Sequence, residues 1–548
     1  MAEGIHLKKI FIIIILVAAV TGAFYFLQYH YQQEEVDIWD LVPGNGIMVY
    51  EAEEPMGAWS DFREMPFWEN LATIPELRKF DDTILHFDTL SETGSDLSSL
   101  FRDRKILLSL HKISNTNLDF ILFIPLNTNQ KRKILNDILI SYDSDGRYKH
   151  EIRNFEDFQI HEMQSADHEV LFSYIEFKGY FIGSFTSFLV DDVVRNISQG
   201  FRQNFRKEIS GVFENKPIDQ DEGNLYLNMK KIPDLIRTFS DPVYRGSDRT
   251  DLAWIAQASY FDLSFENNRI FMNGSAYFPR NATPYYLGTF QEQQPQQIQV
   301  IDYLPGFTAS LLSYTYSDFI QWRQQVDRYW QAHFPELMKD KIGFLHDHEI
   351  LEKEFYGWIG QEIGLATLRS IDIETPDRLL FIRSSDVQRG LEMLDELTLF
   401  VNHARDDTLL YETYGEKVIK KLNIQDLPAN LLGRTFHGFE ASYYTSIGDY
   451  IVIGNSFDVI KMMFNDVEDG NTWGKSLKFV QFYDNIQKSA NLTYCMNLSN
   501  AWNAFLAGLN EPWQQFFRRY DHQFKHLELV SYQASNINDH YYISMAVQ

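Results

Sequence analysis

"IDYLPGFTASLLSYT", Ile301 to Thr315, stands in the middle of a 548-residue chain, yet it has the form of a domain start. The same form, an Asp, two residues, Pro-Gly and a strand-like run ending near Tyr, occurs in "WDLVPGNGIMVYE", Trp39 to Glu51. Asp40, Pro43 and Gly44 match Asp302, Pro305 and Gly306 at an offset of 262. Three later landmarks recur in the same order. "FSYIEFKGYFIGSFTSFLVDDVVRNI" from Phe172 matches "ASYYTSIGDYIVIGNSFDVIKMMFND" from Ala441, with Gly183 opposite Gly454 at 271. "LYLNMKKIPDLI" from Leu225 matches "TYCMNLSNAWNAF" from Thr493, with Asn228 opposite Asn497 at 269. "ASYFDLSFENNRIFMNGSAY" from Ala258 matches "LVSYQASNINDHYYISMAV" from Leu529, with Tyr260 opposite Tyr532 at 272. Self-similarity at a nearly constant offset signals a repeated fold. The expectation is two tandem homologous domains, 38–290 and 301–548, joined by a Gln-rich linker, "QEQQPQQIQV", at 291–300.

Each half mixes two periodicities. Alternating or apolar runs such as "KILLSLHK", "DFILFIPL", "IGLATLR" and "RLLFIRS" read as strands, whereas "SDFIQWRQQVDRYW" and "DVQRGLEMLDELTLFV" have helical spacing. Strands fall in hairpin-like pairs, as in "YFDLSFENNRIFMNGSAYF" with "ENN" at the turn. The fold class is therefore α+β, each domain a mainly antiparallel sheet with packed helices. "YFIGS" and "IVIGNS" precede helices with one Gly each, so they read as a turn and a helix cap from Ser184, Asn455 or Ser456, not as a phosphate cradle.

With 76 acids against 49 Lys and Arg, the net charge of -27 excludes phosphate-driven nucleic-acid binding. Cys495 is the only cysteine, which excludes an intrachain disulfide and a cysteine zinc cluster; it reads as a small buried side chain. From Ile10 to Leu27 no residue is charged, and those 18 residues would span about 27 Å as a helix, against a hydrocarbon core of about 30 Å. Lys8 and Lys9 precede the run and acids follow it. This charge bias places a stub, 1–9, in the cytoplasm, a transmembrane helix at 10–27 and the remainder outside. A cleaved signal peptide is the alternative, and it exports the same body.

Few motifs carry chemistry. "DGNTWGKS", Asp469 to Ser476, lacks the first Gly of a nucleotide-binding loop and reads as a surface loop. "SYDSDGRYKHEI" from Ser141 has the Asp143, Asp145 and Gly146 spacing of part of a calcium loop, but Ile152 stands where the bidentate acid is needed. The most metal-like group is His346, His348, Glu349 and Glu352 in "LHDHEILEKE", which lacks the fixed helix face of paired histidines four apart. His522 and His526 do lie four apart, without an acid of the catalytic type beside them. No nucleophile-elbow motif occurs, and a two-carboxylate hydrolase would leave no local signature.

The span, the Asp-x-x-Pro-Gly start at Asp40 with its echo at Asp302, and the "GYFIGS" and "DYIVIGNS" strands resemble a family of uncharacterised single-span bacterial envelope proteins, a domain of unknown function. The resemblance covers most of the exported part. It implies an inner-membrane anchor and a periplasmic body, and it carries over no catalytic residue and no cofactor. The expected function is a non-enzymatic, membrane-anchored binding or scaffold protein of the envelope, partnered by another envelope protein. Two alternatives stay open: a lipid or glycan carrier or sensor with an aromatic-lined cleft, and a carboxylate-dependent hydrolase of envelope polymers.

Overall fold

The structure, a computed structural model, describes residues 36–79, 81–82, 105–126, 131–133, 148–214, 222–241, 253–266, 268–279, 284–370, 376–405 and 410–548. The expected stub at 1–9 and transmembrane helix at 10–27 lie outside these residues, as does the aspartate-rich stretch 141–147. Among the described residues no helix is long and apolar enough to cross a membrane.

The molecule is a mixed α+β protein built on a large antiparallel sheet. The first ten strands are β1 Met48–Ala52, β2 Ile106–Lys112, β3 Leu118–Pro125, β4 Tyr148–Phe155, β5 Phe158–Ser165, β6 Val170–Phe177, β7 Tyr180–Ser184, β8 Asn224–Asn228, β9 Ala258–Glu266 and β10 Arg269–Tyr277. The next ten are β11 Thr308–Thr315, β12 Ile359–Leu368, β13 Arg378–Ser384, β14 Tyr411–Tyr414, β15 Lys417–Leu422, β16 Ser442–Ile447, β17 Tyr450–Gly454, β18 Leu492–Asn497, β19 Leu529–Ile537 and β20 His540–Val547. Hydrogen bonding joins the first set in the order β4-β5-β6-β7-β3-β2-β1-β8-β9-β10. The second set repeats that order, β14-β15-β16-β17-β13-β12-β11-β18-β19-β20. The two sets meet along β10 and β20, paired from Ile270↔Val547 to Ala276↔Tyr541.

The hairpins correct two of the residue matches read from sequence. One closes at Phe177↔Tyr180 and its counterpart at Ile447↔Tyr450, an offset of 270, so Gly183 corresponds to Ile453 and Ser184 to Gly454. The other closes at Glu266↔Arg269 and Ile537↔His540, an offset of 271, so Tyr260 corresponds to Ser531. A one-residue slip moves a side chain to the opposite face, which is why local likeness alone misjudged them. At offset 271, Asn273 corresponds to Ser544, and these two are paired with each other across β10 and β20. A residue paired with its own counterpart lies on a local two-fold axis of the strand pattern.

Equivalent faces are covered by equivalent helices. Ile121, Phe123, Ile175 and Ile182 meet Leu189, Val190, Val193 and Val194 of the helix Ser187–Ser198. Leu379, Phe381 and Val452 meet Val459, Ile460 and Met463 of the helix Phe457–Asp469, whose first turn is capped by Ser456 Oγ accepting from the Val459 N–H at 3.2 Å. Gly183 is no turn; it lies inside β7.

The Pro-Gly motif has a tertiary role in each half. Pro43 bridges to Asn204, and the Gly44 N–H donates to the Gln203 carbonyl at 3.2 Å. Pro305 bridges to Thr472, and the Gly306 N–H donates to the Asn471 carbonyl at 2.8 Å. "DGNTWGKS" is thus the dock for the second motif. Gly470 ends the helix at φ 71°, Trp473 is buried, and a Cβ at Gly474 would strike Asp302. The stretch 291–300 is bound into the second half instead of acting as a free spacer. Gln293 is wholly buried, its Oε1 accepts from the N–H groups of Ser317 and Asp318, and Ile298 and Val300 join the core.

Candidate binding cleft

A concavity of about 890 Å³ lies where the C-terminal end of β10 meets the start of β20. Small residues open it. Gly274, Ser275 and Ala276 line it, and at the counterpart positions, at offset 271, β20 carries Met545, Ala546 and Val547. At the far end of the junction Gln548 Oε1 accepts from Arg269 Nε at 2.8 Å. Gly274 also permits close backbone approach, since a Cβ there would sit 1.8 Å from the Tyr260 carbonyl oxygen. A Cβ at Gly211 would meet the Tyr277 ring at 2.0 Å, so that glycine lets the ring lie over the turn Ser210–Glu214.

One wall is aromatic. Phe278 lies 4.7 Å from Tyr541 and 5.5 Å from Tyr285, centroid to centroid. Trp254 and His333 support Tyr285 from behind, with His333 Nε2–H donating to the Pro284 carbonyl at 2.7 Å. Tyr542, 46% exposed, stands at the rim beside His540. Polar residues line the same cleft: Asn273, Ser275, Gln291, Gln325 and Arg328. Burial pushes the Tyr285 hydroxyl above its usual range, so it stays a neutral donor and acceptor. Flat rings combined with amide, hydroxyl and guanidinium groups can stack on a ring-shaped ligand and hydrogen-bond its edges.

The residues singled out from sequence lie elsewhere. His346 is exposed beside Asp347 at the end of the helix Pro335–Asp347. His348 Nδ1–H turns back to the Phe344 carbonyl at 2.8 Å, and its ring rests on Phe344. Glu349 sits at φ 53°, and Glu352 is paired with Lys341 at 2.9 Å. These four do not converge, and no group of three metal-ligating side chains occurs among the described residues. His522 and His526 do meet, edge to face with centroids 4.9 Å apart, with no third ligand among the described residues. Cys495 is buried within β18, and burial pushes its thiol up to about 12.

Sequence reading missed three polar clusters. In the first, Ser109 Oγ and His111 Nε2 are 2.7 Å apart, His111 Nδ1 meets Asn45 Oδ1 at 3.0 Å, and Asn45 Nδ2 donates to Asp192 at 3.1 Å. The Ser-x-His spacing on one strand face was the available signal. It resembles a nucleophile relay, but Ser109 is wholly buried and burial pushes the His111 pKa down to about 3, so the ring is a neutral strut. The second is Glu51, which accepts from Trp39 Nε1, Asn224 Nδ2 and the Tyr226 hydroxyl. The third is Glu362, which accepts from the N–H groups of Gln299 and Val300 and from the Tyr450 hydroxyl at 2.5 Å. Burial raises the Glu362 pKa, against those hydrogen bonds. Both carboxylates tie the start of their own half to its sheet.

No family model matches this chain, and no curated protein matches it. Among solved structures, crystal form III of TP0453 is similar over 49% of this chain and 91% of that one, at 12% identity and a TM-score of 0.24. A likeness that weak carries no weight for fold or function. Fold and cleft together define an α+β protein with a ligand-sized, aromatic-walled groove where its two strand sets join.

Proposed function

We propose that this is a non-enzymatic binding protein of the bacterial envelope, anchored in the inner membrane through residues 10–27, that takes a glycan in the junction cleft. The cleft is the observation that carries the reading. Its aromatic wall suits sugar faces, and its amides and hydroxyls suit sugar hydroxyls but would be left unpaired by a lipid tail. The repeated strand order supports reading 38–290 and 301–548 as duplicated domains, with the ligand held where they join. Asp539 is the one carboxylate lining the cleft among the described residues, so the two-acid arrangement of a hydrolase finds no support there.

The test is to purify the full-length protein from its native membrane and identify every co-purifying small molecule and protein by mass spectrometry. A bound glycan that falls roughly tenfold in occupancy in Tyr542→Ala, but not in Tyr411→Ala on the distant edge strand β14, supports the reading. A protein partner at equal abundance, with no glycan in wild type, overturns it in favour of a scaffold.

A further inference from the structure

We infer that the glycan is acidic and that Arg328 pairs with its carboxylate. This rests on the glycan reading of the cleft and adds the charge of the ligand. Arg328 lies on the helix Phe319–His333, where the neighbouring charges are already committed. Arg323 pairs with Asp327, and Asp327 also takes Lys341 at 2.8 Å. Arg328 has no carboxylate within ion-pair distance among the described residues; its partner is the neutral Gln325 Oε1 at 3.2 Å. It is exposed and lines the cleft. Asp539, the acid on the cleft lining, is engaged within the protein.

Among the described residues Arg328 is the one Lys or Arg on the cleft lining, in a chain carrying 76 acids against 49 Lys and Arg. Its planar fork matches a carboxylate through two parallel hydrogen bonds. One cation in a molecule of net charge -27 favours a singly charged group over a dianionic phosphate cluster. On the cleft lining, His540 donates through Nδ1 to the Asn538 carbonyl at 3.1 Å, which leaves Nε2 to accept from a sugar hydroxyl.

The experiment titrates full-length protein in detergent with galacturonic acid and, separately, with its methyl ester, which has the same ring without charge. Wild type, Arg328→Gln and Arg328→Lys are compared. Arg328 is exposed, so neither substitution disturbs the core. The acid is expected to bind about tenfold more tightly than the ester, with the preference lost in Arg328→Gln and partly kept in Arg328→Lys. Equal binding of acid and ester to wild type, or a preference that survives Arg328→Gln, overturns the acidic ligand and leaves the glycan site standing. Binding of neither form removes the glycan reading and this inference with it.

Discussion

His111 shows how one side chain makes the first half sensitive to acid. Held neutral with a pKa of about 3, against about 6.5 in an unfolded chain, it refuses a proton that the unfolded state accepts. Stability from this group is complete above about pH 6.5 and is lost as pH falls towards 3, amounting to about 2 kcal/mol by pH 5. Glu362 acts in the opposite sense: its raised pKa means that its cost is relieved as pH falls. The second half lacks the His111 device. Val49 pairs with Ser109 and its counterpart Leu311 pairs with Ala366, which puts Ala366 and Leu368 at the positions of Ser109 and His111. The double variant Ser109→Ala, His111→Leu is expected to show a smaller drop in urea midpoint between pH 7.5 and pH 5 than wild type. An unchanged drop would mean that other groups set the acid limit.

At the scale of elements, Gly274 is where strand geometry and cleft shape depend on the same atom. In Gly274→Ala the new methyl meets backbone at Tyr260, so β9 has to shift; a loss of about 1–3 kcal/mol is expected, together with weaker glycan binding. Urea unfolding followed by ligand titration separates the two effects. Much of this level was legible in the sequence, because hairpins such as β9–β10 are written in alternation flanking a short polar turn. The pairing of β10 with β20 was not, since it joins residues 265 to 277 apart and depends on faces that a local match misplaces by one position. The run Gly274-Ser275-Ala276 hinted at close approach but did not say to what. The weak metal candidates near His346 do not converge for a related reason: proximity along the chain at a helix end puts imidazoles on diverging directions. The cleft side chains Phe278 and Tyr285, Arg328, and Tyr541 come from three separate stretches of chain, and only folding brings them to one groove.

For the whole molecule, the continuous sheet makes the two halves dependent on each other. Each supplies the other's last strand with its hydrogen-bonding neighbour, so the junction leaves neither β10 nor β20 as an open edge. An isolated first half would expose β10, and because Asn273 sits on the axis of the existing pairing, a second copy of the same half fits there in the same register. Residues 36–290 expressed alone are therefore expected to purify as a symmetric dimer, measured as twice the chain mass by light scattering. A stable monomer would show that β10 is protected by something other than its pairing. The same geometry makes the seam a shared liability: a residue near the axis, Asn273 or Ser544, touches both halves at once, so a change there is felt on both sides.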